Sequence, residues 1–213
     1  MKIPDIQALY SDASWSNRLF IKCRIFLSDL EFVERFVPGE GVIVDLGCGH
    51  GLFTNLMALR SPGRQLVGVD ISPRKIEQAR ASVKGRNNID YICAEISGTA
   101  VPECDVVTIV DVLYLLPRDD QLRILEECRR KLRKGGVLLW KAQERRPRWK
   151  FAITYLQEYM TTSAGLTHGR RGRLTFLSRE EALETLRAAG FMAQVVEMKS
   201  LRPYTDILYV CKA

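Results

Sequence analysis

The sequence predicts an α/β protein: a doubly wound, mostly parallel sheet of seven strands with an antiparallel pair at the C-terminal end. Three observations carry this. Short apolar runs alternate with amphipathic helical segments through the first two thirds of the chain, a pattern that implies right-handed crossovers and a sheet buried on both faces. A glycine-rich turn follows the first run, in VIVDLGCGHGLF, residues 42 to 53. The last two apolar runs, FMAQVVEMKS and TDILYVCKA, are joined by the short turn region LRPY, too short for a parallel crossover, so they must pair antiparallel.

Each element follows in order. Residues 16 to 37 set Leu19, Cys23, Phe26, Leu30 and Val33 at helical spacing, with Pro38 and Gly39 as the stop. GVIVDLG reads as the first strand, GLFTNLMALR as the helix after the glycine turn, and QLVGVD as the second strand. SPRKIEQARASVK is a helix with Ser72 as N-cap and Pro73 at its first position, and IDYICAE is the third strand. DVVTIVD is the fourth strand, RDDQLRILEECRRKLRKGG a helix ending at Gly135 and Gly136, and GVLLWKA the fifth strand. RWKFAITYLQEYMT is helical, SAGLTHGRRGRLTF is a basic glycine-punctuated loop, and SREEALETLRAAG is a helix opened by a Ser178 and Glu181 capping box. The chain thus divides into an N-terminal helical lid, residues 1–39, and one domain, residues 40–213, with a basic insertion over about 144–176.

Composition bounds the function. A chain of 213 residues with 46% apolar side chains builds a sizeable core. No run approaches the roughly 18 apolar residues of a membrane span, and MKIPDIQALYSD lacks the apolar stretch of a signal peptide, so a cytoplasmic location is expected. Six scattered cysteines without a C-x-x-C pair read as buried thiols, and no metal site is expected. Residues 1–40 carry five basic and six acidic side chains, whereas residues 141 to 173 carry Lys141, Arg145, Arg146, Arg148, Lys150, Arg170, Arg171 and Arg173 against Glu144 and Glu158. Most of the +7 net charge therefore lies in one late segment, a pattern suited to an anionic substrate, a membrane surface or nucleic acid.

The glycine turn narrows the ligand. A dinucleotide fingerprint needs G-x-G-x-x-G, but Leu52 occupies the last position and the glycines fall at 47, 49 and 51. Asp45 ends the first strand and Asp70 the second, where a carboxylate accepts from both hydroxyls of a ribose. Glu95 and Asp111 end the third and fourth strands.

VIVDLGCGHG, LVGVDIS, IDYICAEI and VVTIVDVLYLLP, in this order and spacing, resemble the class I S-adenosylmethionine-dependent methyltransferases of the small-molecule type, whose fold is Rossmann-like. The likeness is close over about residues 40 to 141 and extends to the final hairpin in outline. It implies that Asp45, Gly47, Cys48, Gly49 and Gly51 surround the methionine part of S-adenosyl-L-methionine, that Asp70 holds the ribose, and that Ile71 lies against the adenine. Glu95 and the Ile96 N–H would meet the adenine edge, and Asp111 joins the cofactor-binding set. Glu95 stands where the family usually has an aspartate, one methylene shorter. The bland readings are a tight turn for the glycines, solvated caps for the acids, and a small filler rather than a nucleophile for Cys48.

Methyl transfer from a sulfonium is an in-line displacement that a dry, aligning pocket accelerates without an obligatory nucleophile. A base is needed only when the acceptor must lose a proton. His168, in LTHGRRGRL, is the general-base candidate by chemistry, against the alternative of an exposed loop side chain; His50, in the glycine turn, is expected to point outward. After the fourth strand, relatives that methylate exocyclic amines of bases often carry Asn or Asp followed by Pro-Pro and an aromatic. This chain has Val112, Leu113 and Tyr114 there, which resembles small-molecule enzymes more, and Tyr114 faces the substrate or simply packs. Tyr10, Trp15 and Phe20 would lie over the cofactor as a lid or pack as core.

ERRPRWKFAITYLQEYM joins basic residues to Trp149 and an apolar helical face, as an interfacial helix does. The acceptor expected is a small apolar, lipid-like or anionic molecule, with peripheral contact to a membrane surface or an acyl carrier. RNA or tRNA, and a non-catalytic cofactor-binding module, are the competing readings.

Overall fold

The computed structural model describes residues 6, 8–11, 15–96, 102–145, 149, 151–152, 155–156, 159, 174–198 and 206–213, without the side chains of 16, 17, 20, 23, 26 and 27. Its seven strands follow the order β3-β2-β1-β4-β5-β7-β6. This is the doubly wound order, and the chain divides into two compact units, Met1–Thr99 and Ala100–Ala213. No helix among the described residues is long and apolar enough to cross a membrane.

In the first unit, helix α1 (Trp15–Ser28) and the short α2 (Leu30–Glu34) precede β1 (Gly41–Leu46). The single helix expected over residues 16 to 37 is broken at Asp29, which takes a left-handed φ of 45°. A short polar side chain tolerates that conformation where a branched one would not. Helix α3 (Leu52–Arg60) is buried over its first seven residues. β2 (Arg64–Asp70), α4 (Pro73–Ala81) and β3 (Ile89–Cys93) complete the unit. β1 pairs parallel with β2, and β2 with β3, so Asp45, Gly68 and Tyr91 lie in adjacent register. Arg64, 4% exposed, ties the entry to the sheet: it donates to Glu34 at 2.7 Å and to the carbonyls of Val37, Pro38 and Met57.

In the second unit, β4 (Cys104–Val110) leads through a single 3₁₀ turn (Leu113–Leu115) to α5 (Arg118–Lys131) and β5 (Leu132–Gln143). Helix α5 stops at Lys131, earlier than its glycines suggest. Leu132 is buried opposite Cys104, the ladder resumes at Val137 opposite Val106, and Arg133 reaches back to Asp105 at 3.0 Å. Sheet pairing therefore captures the chain four residues before Gly136.

Helix α6 (Arg179–Ala188) opens with the Ser178 and Glu181 capping box, both bonds formed. β6 (Met192–Glu197) and β7 (Asp206–Lys212) are antiparallel as expected. β7 lies between β5 and β6, so the antiparallel strand is one in from the edge.

Candidate functional site

The first unit carries the glycine turn. Gly47 and Cys48 both donate their N–H to the Val69 carbonyl, at 2.7 and 3.0 Å, and the Gly51 N–H donates to the Cys48 carbonyl at 2.9 Å. The Gly49 N–H donates to Asp70 Oδ2 at 2.9 Å. All four glycine-turn donors named here are consumed inside the protein. Phosphate-binding loops instead aim such N–H groups at the anion.

The surrounding charge argues the same way. Asp45 is 2% exposed and accepts from Thr54 Oγ1 at 2.6 Å, and Asp70 is 8% exposed. Asp70 Oδ1 accepts the Ser72 N–H at 2.9 Å, which leaves further lone pairs on both oxygens for outside donors. Ser72 occupies the N-cap of α4 but its side chain forms no cap bond, so Asp70 serves that helix start. A turn whose Gly47, Cys48, Gly49 and Gly51 N–H groups are met inside the protein, flanked by two carboxylates, suits a cationic ligand with hydroxyls and no phosphate.

The three glycines differ. At Gly49, φ +55°, a Cβ would enter open space, which makes a cradle against the backbone. At Gly51, φ +77°, a Cβ would lie 2.3 Å from Tyr91 Oη. Gly68 on β2 meets the same ring, at 2.6 Å, so the bare backbone at Gly51 and Gly68 makes room for Tyr91.

Tyr10 braces the turn from the core. It is 3% exposed, donates to the His50 carbonyl at 2.8 Å, and accepts from Asn55 Nδ2 at 2.8 Å. Burial pushes its hydroxyl up to about 12, so it stays protonated. Trp15 is 77% exposed and the Phe20 side chain lies outside the described residues, so of the three aromatics expected in a lid, Tyr10 is a buried support.

His50 is partly buried rather than turned outward, and burial, then Lys75, lowers it to about 4; it is neutral near pH 7. Burial, then Asp45 and Asp70, raises the Cys48 thiol well above its ordinary value, which suits a filler and not a nucleophile. Ile71 is 47% exposed beside Asp70, Glu95 is exposed and Ile96 partly so. These offer an apolar face and an acceptor, the chemistry that an adenine would need. The residues present thus fit S-adenosylmethionine.

The second unit carries a different polar structure. Asp111 follows β4 with φ 56° and is 5% exposed. Its Oδ1 accepts from Lys141 Nζ at 2.8 Å and from Gln143 Nε2 at 2.6 Å. Lys141, 1% exposed, also meets Asp206 at 3.0 Å. Lys141 therefore belongs to the interior, not to the surface charge counted from the sequence. Arg145 pairs with Glu181 at 3.2 Å, and Glu144 with Arg179 at 2.8 Å, so the described start of the basic segment is neutralised locally. His168 and the arginines at 170, 171 and 173 lie outside the described residues.

Tyr114 is 6% exposed and stacks on Phe176 with centroids 4.6 Å apart. Phe151 meets Phe176 edge to face at 5.1 Å. Sequence reading missed Lys141, Gln143 and Asp206 as a cluster. Three polar residues within otherwise apolar strands, Lys141 and Gln143 two apart on one face of β5, were the available signal.

A family model described as "Methyltransferase domain" matches residues 44–140, spanning β1 to β5. The ubiquinone biosynthesis O-methyltransferase of Nitrosomonas europaea is 26% identical over 84% of this chain and 76% of its own length. The chain carries a methyltransferase domain of the S-adenosylmethionine-dependent type over residues 44–140. The carboxy-S-adenosyl-L-methionine synthase of Actinobacillus succinogenes is 31% identical over 50% of this methyltransferase chain and 46% of its own length. The solved structure of the pyocyanin biosynthetic protein PhzM shares the fold with TM-score 0.74 and 16% identity, over 96% of this chain. The chain spans 60% of that protein and under half of the synthase.

Proposed function

We propose that this methyltransferase moves a methyl group from S-adenosylmethionine to a hydroxyl oxygen of a small aromatic molecule. The observation that carries the acceptor class is the aromatic wall of Tyr114 and Phe176, both buried, with the partly buried Phe151 packed against them, whose flat faces suit a ring. The likeness to a ubiquinone biosynthesis O-methyltransferase supports a hydroxylated aromatic acceptor. Lys141 and Arg145 sit in ion pairs, which removes part of the footprint that RNA would need.

The bound cofactor supplies a methyl on a sulfonium, and the chain's own residues hold and align. Asp70 would take the ribose hydroxyls, the cradle at Gly49 would receive the chain of the methionine part, and Ile71, half exposed, would cover the adenine. Asp45 and Asp70 favour the cation over its neutral product by charge alone. The protein works in the cytoplasm, where the exposed Trp149, Leu156 and Tyr159 offer apolar contact to a membrane surface.

The test is incubation with S-adenosylmethionine and a panel of phenols and catechols, followed by mass spectrometry for acceptors gaining one methyl. Asp70→Ala is expected to weaken cofactor binding in calorimetry by at least about tenfold, the loss of one charge-assisted contact. Unchanged affinity in that variant, or methylation of RNA alone, would overturn the reading.

A further inference from the structure

We propose that a recess beside Gln143 is the subsite that seats a hydroxyl group of the acceptor, with the Gln143 amide oxygen taking its hydrogen bond. The inference rests on the reading of the chain as a methyltransferase for hydroxylated aromatic molecules. Gln143 is the last residue of β5 and is 7% exposed. Its Nε2 donates to Asp111 Oδ1 at 2.6 Å. A carboxylate only accepts, so the orientation of the amide is fixed and Oε1 faces the other way. That oxygen is buried and has no hydrogen-bond partner among the described residues. Native interiors rarely leave such an oxygen unmet.

Gln143 lines a recess together with Tyr114, Trp140, Thr175, Phe176 and Tyr209. Two aromatic pairs form its walls: Tyr114 stacked on Phe176, and Trp140 tilted against Tyr209 with centroids 5.0 Å apart. The space is about that of a single water-sized group, enough for a hydroxyl and too small for a carboxylate or a phosphate. Among the described residues no cationic side chain lines it, so an anion finds no partner among them. An amide oxygen in an aromatic slot selects a neutral hydrogen-bond donor carried on an apolar frame, which a phenolic hydroxyl is. An aryl methyl ether has no hydrogen to donate, so the subsite distinguishes hydroxyl from methoxy.

The charged cluster behind it fixes the geometry. Lys141 Nζ lies 2.8 Å from Asp111 Oδ1 and 3.0 Å from Asp206 Oδ2, which pins Asp111, and Asp111 in turn holds the Gln143 amide. Asp111, Lys141 and Asp206 are positioning residues, and Gln143 is the one that touches the ligand. The recess belongs to the carboxyl ends of β4 and β5, where open α/β sheets receive ligands.

The probes are 4-fluorophenol and 4-fluoroanisole, titrated against the full chain by fluorine NMR with S-adenosylhomocysteine present so that no methyl is transferred. The wild type is expected to bind the phenol about tenfold more tightly than the ether, the usual discrimination of one buried hydrogen bond. Gln143→Leu should bring the two probes within about twofold of each other while S-adenosylhomocysteine affinity by calorimetry stays unchanged. Equal binding of both probes by the wild type, as a resident water would give, or a preference that survives in Q143L, overturns the proposal. Should Q143L fail to fold, the side-chain amide signals of Gln143 in the wild type decide: they must shift with the phenol and not with the ether. A phenol preference in a protein that does not bind S-adenosylhomocysteine would keep the subsite and remove the cofactor reading instead.

Discussion

The glycine turn after β1 and the Lys141 cluster are both polar structures at the carboxyl ends of strands, yet they are built from opposite materials. The turn satisfies the N–H groups of Gly47, Cys48, Gly49 and Gly51 with carbonyls and one carboxylate a strand away, all local to β1, β2 and the turn between β1 and α3. The cluster joins Asp111, Lys141 and Asp206 across 95 residues of sequence and seals them from water. A backbone-built site is rigid and tolerant of side-chain change except where a ring fills it. A side-chain-built site depends on every member, since removing one partner strands a buried charge.

Lys141→Met tests the second half of that contrast and carries the largest expected effect. It leaves Asp111 and Asp206 buried without their shared cation, and urea unfolding should show a loss of about 3–5 kcal/mol. A loss under about 1 kcal/mol would mean that the carboxylates take up protons or water at little cost.

The two glycines sharpen the first half. Gly51→Ala forces a Cβ into Tyr91 Oη, 2.3 Å away, at positive φ, and should destabilise by about 2–4 kcal/mol with cofactor affinity changed little in the molecules that remain folded. Gly49→Ala meets open space and should lose only about 1 kcal/mol of stability, for its left-handed φ, while cofactor affinity falls sharply. Thermal melts and calorimetry on both variants check the pair. The reverse assignment of effects would exchange their roles.

The remaining effect is a pH dependence. His50 is lowered from 6.5 to about 4 in the folded chain, so between those values the unfolded state binds a proton that the native state refuses. Stability should therefore be intact above pH 6.5, fall as the pH drops toward 4, and level off below. His50→Asn should flatten that slope in melts at pH 7, 5.5 and 4.5, and an unchanged slope would place the dependence elsewhere.

Much of this was legible in the chain because it is written locally. Period-two and period-3.6 patterns named the strands and helices, the short link named the hairpin, and Ser178 with Glu181 named a cap that forms as expected. The spacing of Gly47, Gly49 and Gly51 pointed to the cofactor class, since backbone conformation is a property of a few consecutive residues. The failures are where tertiary contact overrode a local signal. Gly135 and Gly136 promise a helix stop there, but pairing with β4 ends the helix at Lys131. Asp29 breaks a helix whose apolar spacing continues through it. Lys141 counts as surface charge in any linear tally, because nothing adjacent to it says that Asp111, just after β4, and Asp206, at the start of β7, wait beside it.

The sequence by itself determined the fold class, the order of the elements and the ligand class of the first unit, all consequences of short-range periodicity and glycine placement. Tertiary structure alone decided which glycine faces open space and which faces Tyr91. It also decided that Lys141 is buried between two carboxylates, and that the Gln143 amide oxygen is buried without a hydrogen-bond partner among the described residues. The physical reason is range: backbone torsions and amphipathic spacing act within a few residues. Burial and charge pairing, by contrast, depend on which strands the sheet brings side by side.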